Sequence, residues 1–132
     1  MIERTSTPTC QSDEVLHTIA IRMPSFRFRR GHRIAPGADL HGVDLSNTDL
    51  AGAKLSNANF EFANLRNVDF SYADLRFANF QGADLREANL WRADLRGAVF
   101  VDTLLGKAIL TEADTTDANF AGADLSGARL PE

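Results

Sequence analysis

Residues 71–90 read SYADLRFANFQGADLREANL, four five-residue blocks that each place alanine third, aspartate or asparagine fourth and leucine or phenylalanine fifth. The pattern continues in both directions. Starting at Pro36, 19 uninterrupted blocks cover 95 residues and end at Leu130. The fifth position is Leu or Phe in every block but the one that ends in Thr115. The third is Ala in 15 blocks and Val43, Thr48, Val68 or Thr103 in the others, and the fourth is Asp or Asn in 14.

A period of five fits neither regular element. On an α-helix it advances about 500° per step and scatters the large residues around the axis, and on a continuous strand it alternates faces. A short extended piece followed by a turn keeps them together: within each block the Ala and the Leu or Phe point inward and the Asp or Asn outward. The chain then coils around a narrow core. Phe stands at the fifth position at 60, 70, 80, 100 and 120, and four of these five are 20 residues apart, which predicts four blocks per coil and a square section. Leu40, Phe60, Phe80, Phe100 and Phe120 would then form one interior column and Leu45, Leu65, Leu85, Leu105 and Leu125 a second. Coils about 4.8 Å apart allow offset stacking of the Phe rings. Small residues at the third position follow from the volume of an interior only one block wide.

These blocks resemble the A(D/N)LXX motif of the pentapeptide repeat family over residues 36–130. The resemblance implies an all-β fold, a right-handed quadrilateral β-helix. At 20 residues per coil the 95 residues fill 4.75 coils, a rod roughly 23 Å long. The expected organisation is an N-terminal polar tail and capping segment over 1–35 and the repeat domain over 36–130. Val15, Leu16, Ile19, Ile21, Met23, Phe26 and Phe28 supply the apolar surface of the cap. After Leu130 only Pro131 and Glu132 remain, so the final coil reads as uncapped. Its free edge, and the C-terminal dimerisation of similar proteins, predict a homodimer.

Composition narrows the class. Hydrophobic residues make up 44% and charged residues 24% of the 132, ordinary globular usage. No apolar stretch approaches the ~20 residues of a membrane helix, so no membrane role is expected. The first twenty residues lack the apolar core of a secretory signal, and Cys10 is the single cysteine, which together predict a cytoplasmic protein without disulfides. His17, His32 and His41 lack metal-ligand spacing, and no phosphate loop or nucleophile elbow occurs. The expectation is no enzyme, no catalytic residue, no metal and no cofactor.

Function must then lie on the surface. Residues 1–35 carry net charge +3 and residues 36–132 net −7. Asp74, Asp94 and Asp114 fall in one column, with Arg76 and Arg96 two residues from the first two as charge partners. Phe62, Tyr72, Phe77 and Trp91 stand at the two positions after Leu or Phe, which face solvent. Arg92 follows Trp91 one coil above Tyr72, placed for a cation–π contact with it. They form a candidate protein-binding surface. Val99, Leu104 and Ile109 replace the outward Asp or Asn in three successive blocks, with Val101 beside them. They form either an apolar contact band or a degenerate coil that folds inward. The basic run Phe26–Arg33 reads as a solvated cap strand near the acidic first coil rather than a nucleic-acid site.

The primary reading is a non-catalytic, rigid scaffold for protein–protein interaction with an unknown protein partner. The resemblance implies a second possibility, since some similar proteins act as DNA mimics that modulate or protect type II topoisomerases such as gyrase. A 23 Å stretch of duplex carries about 13 charges. The 15 acids here are spread over four faces among eight bases.

Overall fold

The structure is a computed structural model, and it describes residues 34–131. The N-terminal tail and cap expected over 1–35 lie outside the described residues apart from Ile34 and Ala35. Among the described residues each block contributes a single bridge residue instead of a multi-residue strand. Parallel bridges join positions 20 residues apart, from Asp39 with Asn59 to Ile109 with Arg129, fifteen in all. Four blocks therefore make each coil.

The coil has four faces and four corners. The first face carries the outward column Asp39, Asn59, Asn79, Val99 and Asn119, the second Asp44, Asn64, Asp84, Leu104 and Asp124, the third Asp49, Asp69, Asn89, Ile109 and Arg129, and the fourth Lys54, Asp74, Asp94 and Asp114. The two residues that follow each Leu or Phe make the corner after that face.

Backbone bonding explains the five-residue unit. In the block 81–85, Leu85 donates its N–H upward to Leu104 O at 2.7 Å, Gly82 upward to Val101 O at 3.0 Å, and Asp84 downward to Ala63 O at 3.0 Å. Ala83 N–H closes the corner on Phe80 O at 2.9 Å. The fifth N–H, on Gln81, reaches Asn79 Oδ1 at 3.0 Å. All five donors are satisfied, as a largely buried backbone requires.

That last bond recurs wherever the fourth position is Asp or Asn. Its short side chain accepts from the backbone two residues on, as in Asp44 with Ser46 N at 3.0 Å and Asn89 with Trp91 N at 3.0 Å. The outward Asp or Asn is thus a corner cap as well as a solubilising group.

Every corner also holds its second residue at positive φ, between 55° and 75°, from Gly37 to Gly127. Asn or Asp tolerates that region and Gly favours it, whereas Phe62, Tyr72 and Phe77 occupy it with bulky side chains.

The interior follows the predicted columns. Phe60, Phe80 and Phe100 are fully buried, and the column continues to Phe120 with ring centroids 4.9, 4.9 and 4.8 Å apart and planes within 4° of parallel. Phe70, from the third face, meets Phe60 and Phe80 edge-on at 5.7 and 6.1 Å. Buried Thr103 takes an Ala position by donating its hydroxyl to Phe80 O at 2.7 Å. Thr115 keeps its interior position, half-buried in the last turn of the rod. In that final coil Phe120 and Leu125 are only partly covered and Leu130 is half-exposed.

Residues 96–115 do not bulge. Val99, Leu104, Ile109 and Asp114 bridge Asn79, Asp84, Asn89 and Asp94 in unbroken register, so the inward-folding alternative is overturned. Backbone pairing holds the coil regardless of what the fourth position carries.

Phe80→Ala, which opens a cavity between two stacked rings, should lower unfolding free energy by about 3–5 kcal/mol in denaturant titration. Phe120→Ala should cost clearly less, and equal losses would contradict the packing described. Asn89→Asp should be nearly silent, and Asn89→Ala should cost about 0.5–1.5 kcal/mol, the worth of one hydrogen bond.

Candidate functional site

The outward aromatics do not form one patch. Phe62 stands on the first corner, Phe77 on the fourth, and Tyr72 with Trp91 and Arg92 on the third. The Phe62 ring lies over Gly82 of the next coil, where an added Cβ would come within 2.5 Å of it, and the Phe77 ring lies over Gly97 in the same way. Each ring shields the glycine corner above it and still leaves more than half of its surface in solvent.

On the third corner Tyr72 meets the Trp91 ring edge-on at 5.2 Å. Arg92 places its guanidinium carbon 5.0 Å from the centre of the Trp91 ring and donates from Nε to Glu112 at 2.6 Å. The expected stacking of Arg92 over Tyr72 is thus corrected to stacking over Trp91, its chain neighbour. Trp91 is half-buried rather than fully outward. What this corner exposes is the Tyr72 ring, flanked by a guanidinium already paired with a carboxylate.

The acidic column is threaded with arginine. Arg76 grips Asp74 through two bonds of 2.8 Å, and Arg96 grips Asp94 at 2.8 and 2.7 Å. Each guanidinium also leans toward the next carboxylate up the rod, Arg76 Nε to Asp94 at 3.9 Å and Arg96 Nε to Asp114 at 3.8 Å. These bonds hold the Asp74 and Asp94 carboxyls below their ordinary range, chiefly through the Arg76 and Arg96 side chains. The Thr116 hydroxyl does the same for Asp114. With Lys54 at the foot of the column, three acids stand among three bases.

Val99, Val101 and Ile109 are partly exposed, and Leu104 is 38% exposed. The apolar band therefore faces outward on three adjacent sides of one coil. Sequence reasoning named these residues but missed their cost: with no Asp or Asn at 99, 104 and 109, the N–H groups of Val101, Gly106 and Thr111 lack the side-chain acceptor that an Asp or Asn gives the other corners, as does that of Ser56 after Lys54. Arg129, by contrast, precedes Pro131, which has no N–H to cap. The signal that could have revealed the cap is the spacing itself, an Asx residue two positions before each corner.

No group of three or more His, Cys, Asp or Glu side chains suited to a metal ion occurs among the described residues. No helix there is long and apolar enough to cross a membrane.

Residues 37–71, 63–102, 73–111 and 98–132 match the family pattern of pentapeptide repeats, in eight copies. The chain belongs to the pentapeptide repeat family. A solved pentapeptide repeat protein from the Arabidopsis thaliana thylakoid lumen is similar to it at 31% identity and a TM-score of 0.67, over 70% of this chain and 64% of that one. A second, from Nostoc Pcc 7120, is 38% identical with a TM-score of 0.58, over 64% of this chain and 74% of that one. The match thus spans somewhat under two thirds of the Arabidopsis protein's length. No curated protein matches the chain. The four-faced coil is accordingly the right-handed quadrilateral β-helix of this family, whose members are in general structural or binding proteins.

The pairing of the acidic column sets a pH dependence. A carboxyl with a folded pKa lowered below its unfolded value stabilises the fold above that value and loses the contribution as pH falls through the folded pKa. An Arg76→Gln, Arg96→Gln variant should melt below the parent at pH 7, and the gap should begin to narrow only below about pH 4 and shrink further as Asp74 and Asp94 take up protons. A gap that does not narrow as the pH falls would show that the arginines act through packing alone.

Proposed function

We propose that the protein is a non-catalytic scaffold, a rod of the 4.75 coils that residues 36–130 fill, which binds another protein through the apolar band of Val99, Val101, Leu104 and Ile109. One observation carries this reading. Three successive blocks give up the acceptor that caps a corner and set an aliphatic side chain outward in its place. Each omission leaves a corner donor to water and adds apolar surface, so neither change helps the fold. Residues that lower stability without a structural return mark the places where natural proteins serve function. Phe62, Phe77 and the Tyr72, Trp91 and Arg92 corner extend the surface over the coils below.

The pairing of Asp74, Asp94 and Asp114 with Lys54, Arg76 and Arg96 supports this reading over DNA mimicry, since that column offers a basic groove almost no net charge. The caps argue likewise: Asn serves as well as Asp at the same position, so these acids are there as acceptors.

A Val99→Asn, Leu104→Asp, Ile109→Asn variant should melt above the parent, because it restores three caps. It should also lose proteins that the parent retains from a lysate at high salt, where charge-driven contacts are screened. A stabilised variant with unchanged capture would move the binding surface elsewhere, and a destabilised one would remove the premise.

A further inference from the structure

Among the described residues, the blocks that place an arginine first in the corner do so at 66, 76, 86 and 96. In three of them the arginine folds back on the aspartate two residues earlier and holds it through two bonds. Arg76 meets Asp74 at 2.8 and 2.8 Å, Arg86 meets Asp84 at 2.9 and 2.6 Å, and Arg96 meets Asp94 at 2.8 and 2.7 Å. Arg66 follows Asn64 instead. The Asn64 side chain still caps the corner, accepting from Arg66 N–H at 3.2 Å, but it has no charge to hold the guanidinium. The carboxylate one coil up that face, Asp84, is already taken by Arg86 at 2.6 Å. Arg66 is thus exposed and makes no ion pair with any described residue.

The surface is concave at the same place. A cavity of about 550 Å³ opens along the second corner, lined by Ser46, Asn47, Asn64, Arg66, Asn67 and Glu87. Its wall is braced from one coil to the next, where Asn67 Nδ2 donates to Asn47 Oδ1 at 2.8 Å. Glu87 stands one coil above Asn67, at φ 63°, and it too makes no ion pair with Arg66 or with another described residue. With every lining residue polar, the cavity has nothing for an apolar ligand. It offers one cation and one anion on successive coils, with side-chain amides around them.

Each charge selects one end of a ligand. A guanidinium fork takes a carboxylate through two parallel bonds, the arrangement that the other three blocks make internally. A second carboxylate on the ligand would meet Glu87, so the other end is a cationic donor. We propose that the second-corner cavity binds a small zwitterion such as an α-amino acid, its carboxylate in the Arg66 fork in place of the missing aspartate and its ammonium on Glu87. The cavity lies on the lower coils, below the apolar band, so the two readings stand or fall separately.

The test is a nuclear magnetic resonance titration of the full chain with L-serine, at pH 7 and fixed ionic strength. The Arg66 Nε–H signal and the side-chain amide signals of Asn64 and Asn67 should shift and saturate, with Kd about millimolar, as befits a few charge-assisted bonds at an open site. Acetate, which lacks the ammonium, should bind more weakly. Arg66→Gln should weaken L-serine about tenfold or more, the worth of a charge-assisted pair. Asn64→Asp is the sharper variant. It keeps the cap, as Asp84 does for Arg86 N–H at 3.1 Å, and fills the fork from within, so it should abolish binding without lowering the melting temperature. Glu87→Gln should erase the preference for L-serine over acetate. Shifts that rise without saturating, acetate binding as tightly as L-serine, or binding that survives both Arg66→Gln and Asn64→Asp would each overturn the proposal.

Discussion

The structure depends on one short hydrogen bond repeated up the rod, from the backbone N–H at the start of most corners to the Asp or Asn side chain two residues earlier. A chain that turns every five residues has no long ladder in which to place its donors. Four of the five N–H groups in a block are placed by geometry, two to the coil above, one to the coil below and one across the corner. The fifth points outward, where no backbone carbonyl is in reach, and a side chain must supply the acceptor. Asp and Asn are short enough to fold back over two residues and accept more strongly than Ser or Thr, which make the same turn. The motif is in this sense a statement about donors.

The corner imposes the second constraint. All its second residues lie in the left-handed region, where a residue with a Cβ loses roughly 1 kcal/mol or more relative to its ordinary conformation. Gly, Asn and Asp soften that loss, yet Phe62, Tyr72, Phe77, Glu87, Arg92, Lys107 and Glu112 accept it in full. Two of the aromatic rings recover part of it by covering a glycine corner above, and Arg92 recovers part through Trp91 and Glu112. Stability comes from elsewhere, from stacked Phe and Leu columns that are completely buried through the middle of the rod. A core this regular tolerates costly corners, which leaves the corners open to selection for binding.

What the sequence disclosed followed from period and volume. The Phe residues 20 apart revealed the coil length because identical positions one coil apart must stack, and they do at 4.8–4.9 Å. The Arg76 and Arg96 pairings were legible because a two-residue offset on one side of a strand end leaves a guanidinium little choice. The corner cap was not read from the same positions, because an outward carboxylate looks like ordinary solubility until the orphan donor is counted. Nor was the left-handed corner, although Gly, Asn and Asp fill most of those positions. The stacking of Arg92 depended on which of two neighbouring rings stands nearer, and spacing cannot separate Tyr72 from Trp91.

Counting donors also changes how the surface charge is understood. An acid that caps a corner sits where it does whether or not a partner wants negative charge there, so acidic columns in such a rod carry little functional meaning by themselves. Meaning attaches instead to departures from the rule. One is the run of aliphatic residues at 99, 104 and 109, where the cap is absent. The other is the distribution of bases, which no backbone requirement dictates: Lys and Arg could stand at any outward corner position, yet they avoid two adjacent faces and the corner between them. A side kept free of bases within a balanced rod is a choice of the sequence.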